Sequence, residues 1–129
     1  MWIFTKDGFF SVVQKPEQKG TKWVTVRSRN KKDLVALLHS IHVDAKIDHF
    51  AGTDYQVRMV ISKSKLKKYL SKTVEYINYD NFKHEVQMKD PKRASVYSDV
   101  WWALLDSAKT KISNYFGRSG EVGYFDDGG

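Results

Sequence analysis

The chain has 129 residues, 14% of them aromatic, with no cysteine and 22 Lys and Arg against 15 Asp and Glu. That length fits one domain with a core large enough to do without staples, and the missing cysteine excludes a disulfide framework, a thiolate nucleophile and a Cys-type zinc site. Charge is placed unevenly: residues 1–118 hold all 22 bases and 12 of the acids, a net +10, whereas Glu121, Asp126 and Asp127 lie beyond them.

Trp2 to Thr5 and Phe9 to Gln14 are short β-rich runs around Lys6-Asp7-Gly8, and Asp-Gly between apolar runs predicts a hairpin. Lys15 to Thr21, with Pro16 and Gly20, reads as a loop. A third strand follows over 22–29. Alternation puts Val24 and Val26 on one face and Trp23, Thr25, Arg27 and Arg29 on the other. Asn30 and Asp33 form a capping arrangement for a helix with Leu34, Leu37, Leu38 and Ile41 along one stripe. Lys46 to Phe50 reads as a fourth strand. Tyr55 to Ile61 reads as a fifth, with Tyr55, Val57, Met59 and Ile61 against Gln56, Arg58 and Val60.

Ser62 or Ser64 caps the next helix, whose apolar stripe is Leu66, Leu70, Thr73, Val74 and Ile77, with Lys65, Lys68 and Lys72 on another stripe. Phe82 to Met88 gives one or two further helical turns. Asp90-Pro91 then opens a last helix, with Ala94, Tyr97, Trp101, Leu104, Leu105, Ala108 and Ile112 on one face and Gly117 as its stop. The expected fold is an α+β two-layer sandwich over residues 1–117: an antiparallel or mixed sheet of about five strands, helices on one face, partly ferredoxin-like. Residues 118–129 read as a flexible acidic, Gly-rich tail. The N-terminus lacks the basic start and long apolar core of a signal peptide, and no run approaches the roughly 18 apolar residues of a membrane span. A cytoplasmic protein without membrane partners is expected.

No P-loop, dinucleotide fingerprint, His-Glu-x-x-His or nucleophile elbow is present, so the sequence points away from an enzyme and names no catalytic residue and no cofactor. His39 and His42, three apart at a helix end, are too few for a metal site, and His49 beside Asp48 is weak ground for a general base. The leading expectation is a small binding protein for nucleic acid or another polyanion. Arg27, Arg29 and Arg58 would meet phosphate and Trp23 would offer a stacking plane, with Lys65, Lys68 and Lys72 adding charge. The bland alternative has Trp23 packed under the last helix, the arginines bridging to acids and the lysines forming a solvated face. A second constellation, Asp54, Tyr55, Arg58, Asp80, Asn81 and Lys83, suggests a polar pocket. Its plainer reading has Asp80 or Asn81 capping a helix and Arg58 paired with Asp54 or Asp80. Trp102, about 100° around the helix from Trp101, suggests a homodimer interface.

Four motifs recur in order: Asp7-Gly8-Phe9-Phe10-Ser11-Val12-Val13-Gln14, Thr53-Asp54-Tyr55-Gln56-Val57-Arg58, Ile77-Asn78-Tyr79-Asp80-Asn81-Phe82-Lys83 and Val96-Tyr97-Ser98-Asp99-Val100-Trp101. On these the chain resembles a group of small bacterial proteins that begin Met-Trp and end on a Val-Trp helix, over roughly residues 1–106. The resemblance implies one compact domain and brings no enzyme activity. It marks Asp54, Tyr55, Arg58, Asp80, Asn81 and Lys83 as polar positions to test.

Overall fold

The structure, a computed structural model, describes residues 1–118, so the expected tail lies outside the described residues except for Arg118. The chain divides into two compact units, one over Met1–Asp80 and one from Asn81 onward.

The first unit holds a five-stranded, wholly antiparallel sheet in the order β1-β2-β3-β5-β4. Its strands are β1 (Trp2–Phe4), β2 (Phe9–Val13), β3 (Trp23–Ser28), β4 (Ile47–His49) and β5 (Val57–Ser62). Helix α1 (Lys31–Ser40) joins β3 to β4, and α2 (Lys63–Glu75) follows β5. Because β5 runs antiparallel to both neighbours, β3 and β4 are parallel with β5 between them, a split β-α-β unit. That is the ferredoxin-like part of the fold. The β1–β2 hairpin takes the edge beyond β3.

Alternation decides which face is core. Val24 and Val26 of β3, Phe10 and Val12 of β2 and Val57, Met59 and Ile61 of β5 are all buried, and they join Leu34, Leu37, Leu38 and Ile41 of α1 and Leu66 and Tyr69 of α2 in one cluster. Each such side chain is worth about 1.5–3 kcal/mol against an exposed position. The stripe expected on α2 needs correction. Val74 and Ile77 are 65% and 56% exposed, whereas Tyr69 is 1% exposed and carries the helix's contact with the core. The Tyr69 hydroxyl bonds to Thr5 Oγ1 at 2.8 Å and donates to Asp7 Oδ2 at 2.9 Å, so α2 pins the hairpin turn. Asp33 pins it from the other side, accepting from the Phe9 amide at 3.3 Å. A Cβ on Gly8 would sit 2.4 Å from Asp33 Cγ, which is why the turn needs glycine there. Asn30 is the α1 N-cap by position, its backbone carbonyl accepting from the Asp33 amide at 3.2 Å, while its side chain makes no capping bond.

Ser62 is the cap of α2, accepting from the Lys65 amide at 3.2 Å. In the second unit Asn81 caps α3 (Phe82–Lys89) by accepting from the His84 amide at 3.0 Å. Asp90 caps α4 (Pro91–Arg118) by accepting from the Arg93 amide at 3.1 Å. The helix runs through Gly117, which does not stop it. Ala94 and Tyr97 are the buried start of its apolar face, and Phe82 of α3 stacks on Tyr97 at 6.0 Å between centroids. Further along, the expected apolar face opens, with Trp101 and Leu104 42% and 68% exposed, and Trp102, expected off that face, is 52% exposed.

Candidate functional site

The sheet's second face is read directly from the register. Trp2 pairs with Ser11, Ser11 with Arg27, Arg27 with Arg58 and Arg58 with Asp48, so these five share the side away from Val26 and Met59. Phe4 and Phe9, which pair with each other, lie on it too. Three guanidinium groups gather on this face, each over an aromatic ring. Arg27 is 4.7 Å from the Tyr55 ring centroid, Arg29 is 4.9 Å from Tyr55 and 5.6 Å from Phe9, and Arg58 is 4.8 Å from Phe50. The rings form a continuous series: Trp2 meets Phe9 edge-on at 5.8 Å, Phe4 stacks on Phe9 at 4.6 Å, and Phe9 lies 6.3 Å from Tyr55.

Hydrogen bonds fix the guanidinium planes. Arg27 donates to Ser11 Oγ at 2.7 Å, Arg29 to the Asp54 carbonyl at 3.2 Å and Arg58 to the Tyr55 carbonyl at 3.3 Å. Among the described residues no ion pair joins any of the three to an acid, so Arg58 is bonded to backbone rather than to the Asp54 or Asp80 carboxylates. Asp48, opposite Arg58 in the register, instead meets Lys46 at 3.3 Å. Arg27 Nε is buried with no hydrogen-bond partner.

Tyr55 departs from the strand pattern. It ends the alternating run that includes Val57, Met59 and Ile61, but it precedes β5, and its ring turns to the opposite face to lie between Arg27 and Arg29. Burial to 5% exposure is therefore the burial of a ring among guanidiniums, not of a core residue.

Trp23 stands apart from this group. Four residues of strand separate it from Arg27, about 13 Å. Between them Thr25 is 3% exposed under Gln18, whose Oε1 accepts from Thr25 Oγ1 at 3.0 Å and from the Lys15 amide at 2.9 Å. The 15–21 loop thus roofs the middle of β3. Trp23 has its own cation, Lys22 Nζ at 4.8 Å from its centroid.

The lysines of α2 do not act alike. Lys68 Nζ donates to the Ile41 carbonyl at 3.4 Å and Lys72 Nζ to the Ser40 carbonyl, so both cap the C-terminal end of α1, where orphan carbonyls attract cations. Lys65 is exposed. Of the second constellation, Asp54, Tyr55 and Arg58 come together, Asp80 is exposed, and Asn81 and Lys83 serve the second unit, Lys83 with its ammonium 3.8 Å from the Trp101 centroid. Trp102 meets Trp101 edge-on at 4.8 Å. Asp48 and His49, as strand neighbours, point to opposite faces and do not form a pair. Among the described residues no group of three or more His, Asp or Glu is placed to hold a metal, and no helix is long and apolar enough to cross a membrane.

Sequence reasoning found the three arginines and Tyr55 but missed Phe9, Phe50, Trp2 and Phe4. The Asp7-Gly8 hairpin signal placed Phe9 beside Phe4, but only the β2–β3 register sets both on the face with Arg27. Comparison with family models, with curated proteins and with solved structures returned no match.

Proposed function

We propose that the protein binds polyanions, nucleic acid foremost, through the sheet face of Arg27, Arg29 and Arg58. The observation that carries this reading is the stacking of all three guanidiniums on rings with no acid paired to any of them among the described residues. A stacked guanidinium is held flat and keeps its remaining N–H donors for a phosphate, which it engages as a fork. An arginine serving only the fold would sooner be matched with a carboxylate, and Asp48 and Asp54 are both near enough in sequence or register to have done so.

The test is a titration with oligonucleotides and with inorganic polyphosphate across salt. Three phosphate contacts on a single strand predict a slope of log K against log salt of about −2. Absent binding at about 50 mM salt, or a slope near zero, would sink the reading.

Self-association through α4 is a second reading, favoured by the exposed rings of Trp101 and Trp102. Tryptophan is enriched at interfaces. Light scattering at high protein concentration tests it: a dimer mass that falls to the monomer in Trp102→Ala supports it, and a monomer mass removes it.

A further inference from the structure

We infer that the polyanion is single-stranded nucleic acid, crossing the sheet with unpaired bases on Trp2 and Phe50 and phosphates at the three arginines between them. This rests on the reading of the face as a polyanion site and adds what the polyanion must carry besides charge. Trp2 belongs to β1 and Phe50 follows β4, the two outer strands of the sheet. The arginines sit inward of both, on β3, at its end and on β5. The face is therefore bracketed by an aromatic ring at each edge, 69% exposed for Trp2 and 46% for Phe50.

Exposed rings in those positions gain nothing from a plain polyanion. Phosphate chains have no flat apolar surface to set against an indole, and a duplex keeps its base faces within its own stack. A single strand offers both a phosphate at each step and a base whose two faces are free. Five strands at about 4.8 Å spacing span about 19 Å from edge to edge. Sheets of similar width stack two or three bases, so about three nucleotides fit between Trp2 and Phe50.

The arrangement within the face is consistent with that division of labour. Arg29 over Phe9 and Tyr55, and Arg27 over Tyr55, occupy the inner rings with guanidinium, while Trp2 at one edge carries none. Phe50 carries Arg58 at 4.8 Å, so a base arriving there would meet a ring and a guanidinium together. Both contacts are indifferent to base identity, since every base has a π face. Little sequence preference is expected.

The experiment measures affinity for oligothymidylate, for a mixed-sequence DNA duplex and for inorganic polyphosphate at matched phosphate concentration. It uses the full chain and the variants Trp2→Ala and Phe50→Ala. The single strand should bind about tenfold or more tighter than either competitor. Trp2→Ala, whose ring carries no guanidinium, should weaken single-strand binding by about tenfold and leave the salt slope and polyphosphate binding unchanged. Phe50→Ala, which also removes the ring under Arg58, should weaken both ligands and the single strand more. Phe50→Ala stands in for Trp2→Ala should the latter unfold, because the two rings lie at opposite edges of the sheet. Equal affinity for all three ligands, a preference for the duplex, or ring variants that bind the single strand like the parent would each overturn the inference while leaving a polyanion face in place. No binding of any of the three would remove that face as well.

Discussion

Arg27, Arg29 and Arg58 on the sheet and Lys63, Lys65, Lys67, Lys68 and Lys72 on α2 are both concentrations of positive charge, but they are built to different ends. On α2 the two lysines with resolved partners, Lys68 and Lys72, donate to carbonyls at the C-terminal end of α1. That is helix capping, and it ties α2 to α1. On the sheet the guanidiniums lie flat on Tyr55, Phe9 and Phe50, bond to a hydroxyl and two carbonyls, and meet no carboxylate among the described residues. Lysine's compact ammonium suits the first task and arginine's planar fork the second. Equal charge on a sequence therefore does not mean equal readiness to meet a ligand.

The comparison breaks most visibly if the arginines are removed together. The triple variant Arg27→Ala, Arg29→Ala, Arg58→Ala should lose about two orders of magnitude or more in oligonucleotide affinity, with the salt slope falling towards zero. Next in size is Lys72→Met, which strips the Ser40 carbonyl of its cation. Denaturant unfolding should show a loss of about 1 kcal/mol with binding unchanged. If binding falls and stability does not, the lysine belongs to the ligand and the division is wrong. Arg58→Lys keeps the charge but loses the flat contact with Phe50. It should weaken binding by about fivefold while holding the slope, which a titration across salt separates from a charge effect. Lys65→Ala should change neither stability, within about 0.5 kcal/mol, nor affinity.

How much of this was legible in the sequence follows from which interactions are local. Strand alternation, the Asp7-Gly8 turn, the Ser62 cap and the Asp90-Pro91 start are set within a few residues, and the α+β sandwich with its five strands follows from them. What the sequence hides is register. Trp23 and Arg27 share a face by alternation, yet Gln18 comes over Thr25 between them, and only the folded loop reveals it. Alternation sets Tyr55 with Val57, Met59 and Ile61, although the pocket constellation named it beside Arg58, and it lies outside the strand and turns to the arginines. Lys68 and Lys72 read as a solvated stripe, since nothing local announces that the end of α1 will lie beneath them. Tyr69 is the reverse case, a ring off the expected stripe that ends 1% exposed because the hairpin turn needs its hydroxyl.

The account turns on which cations meet the ligand, and side-chain NMR can watch them one by one. On titrating oligothymidylate into the full chain, the guanidinium Nη–H signals of Arg27, Arg29 and Arg58 should shift together and saturate at one affinity, while the ammonium signals of Lys68 and Lys72 stay in place. Shifts confined to the lysines, with the three arginine signals unmoved, would contradict it.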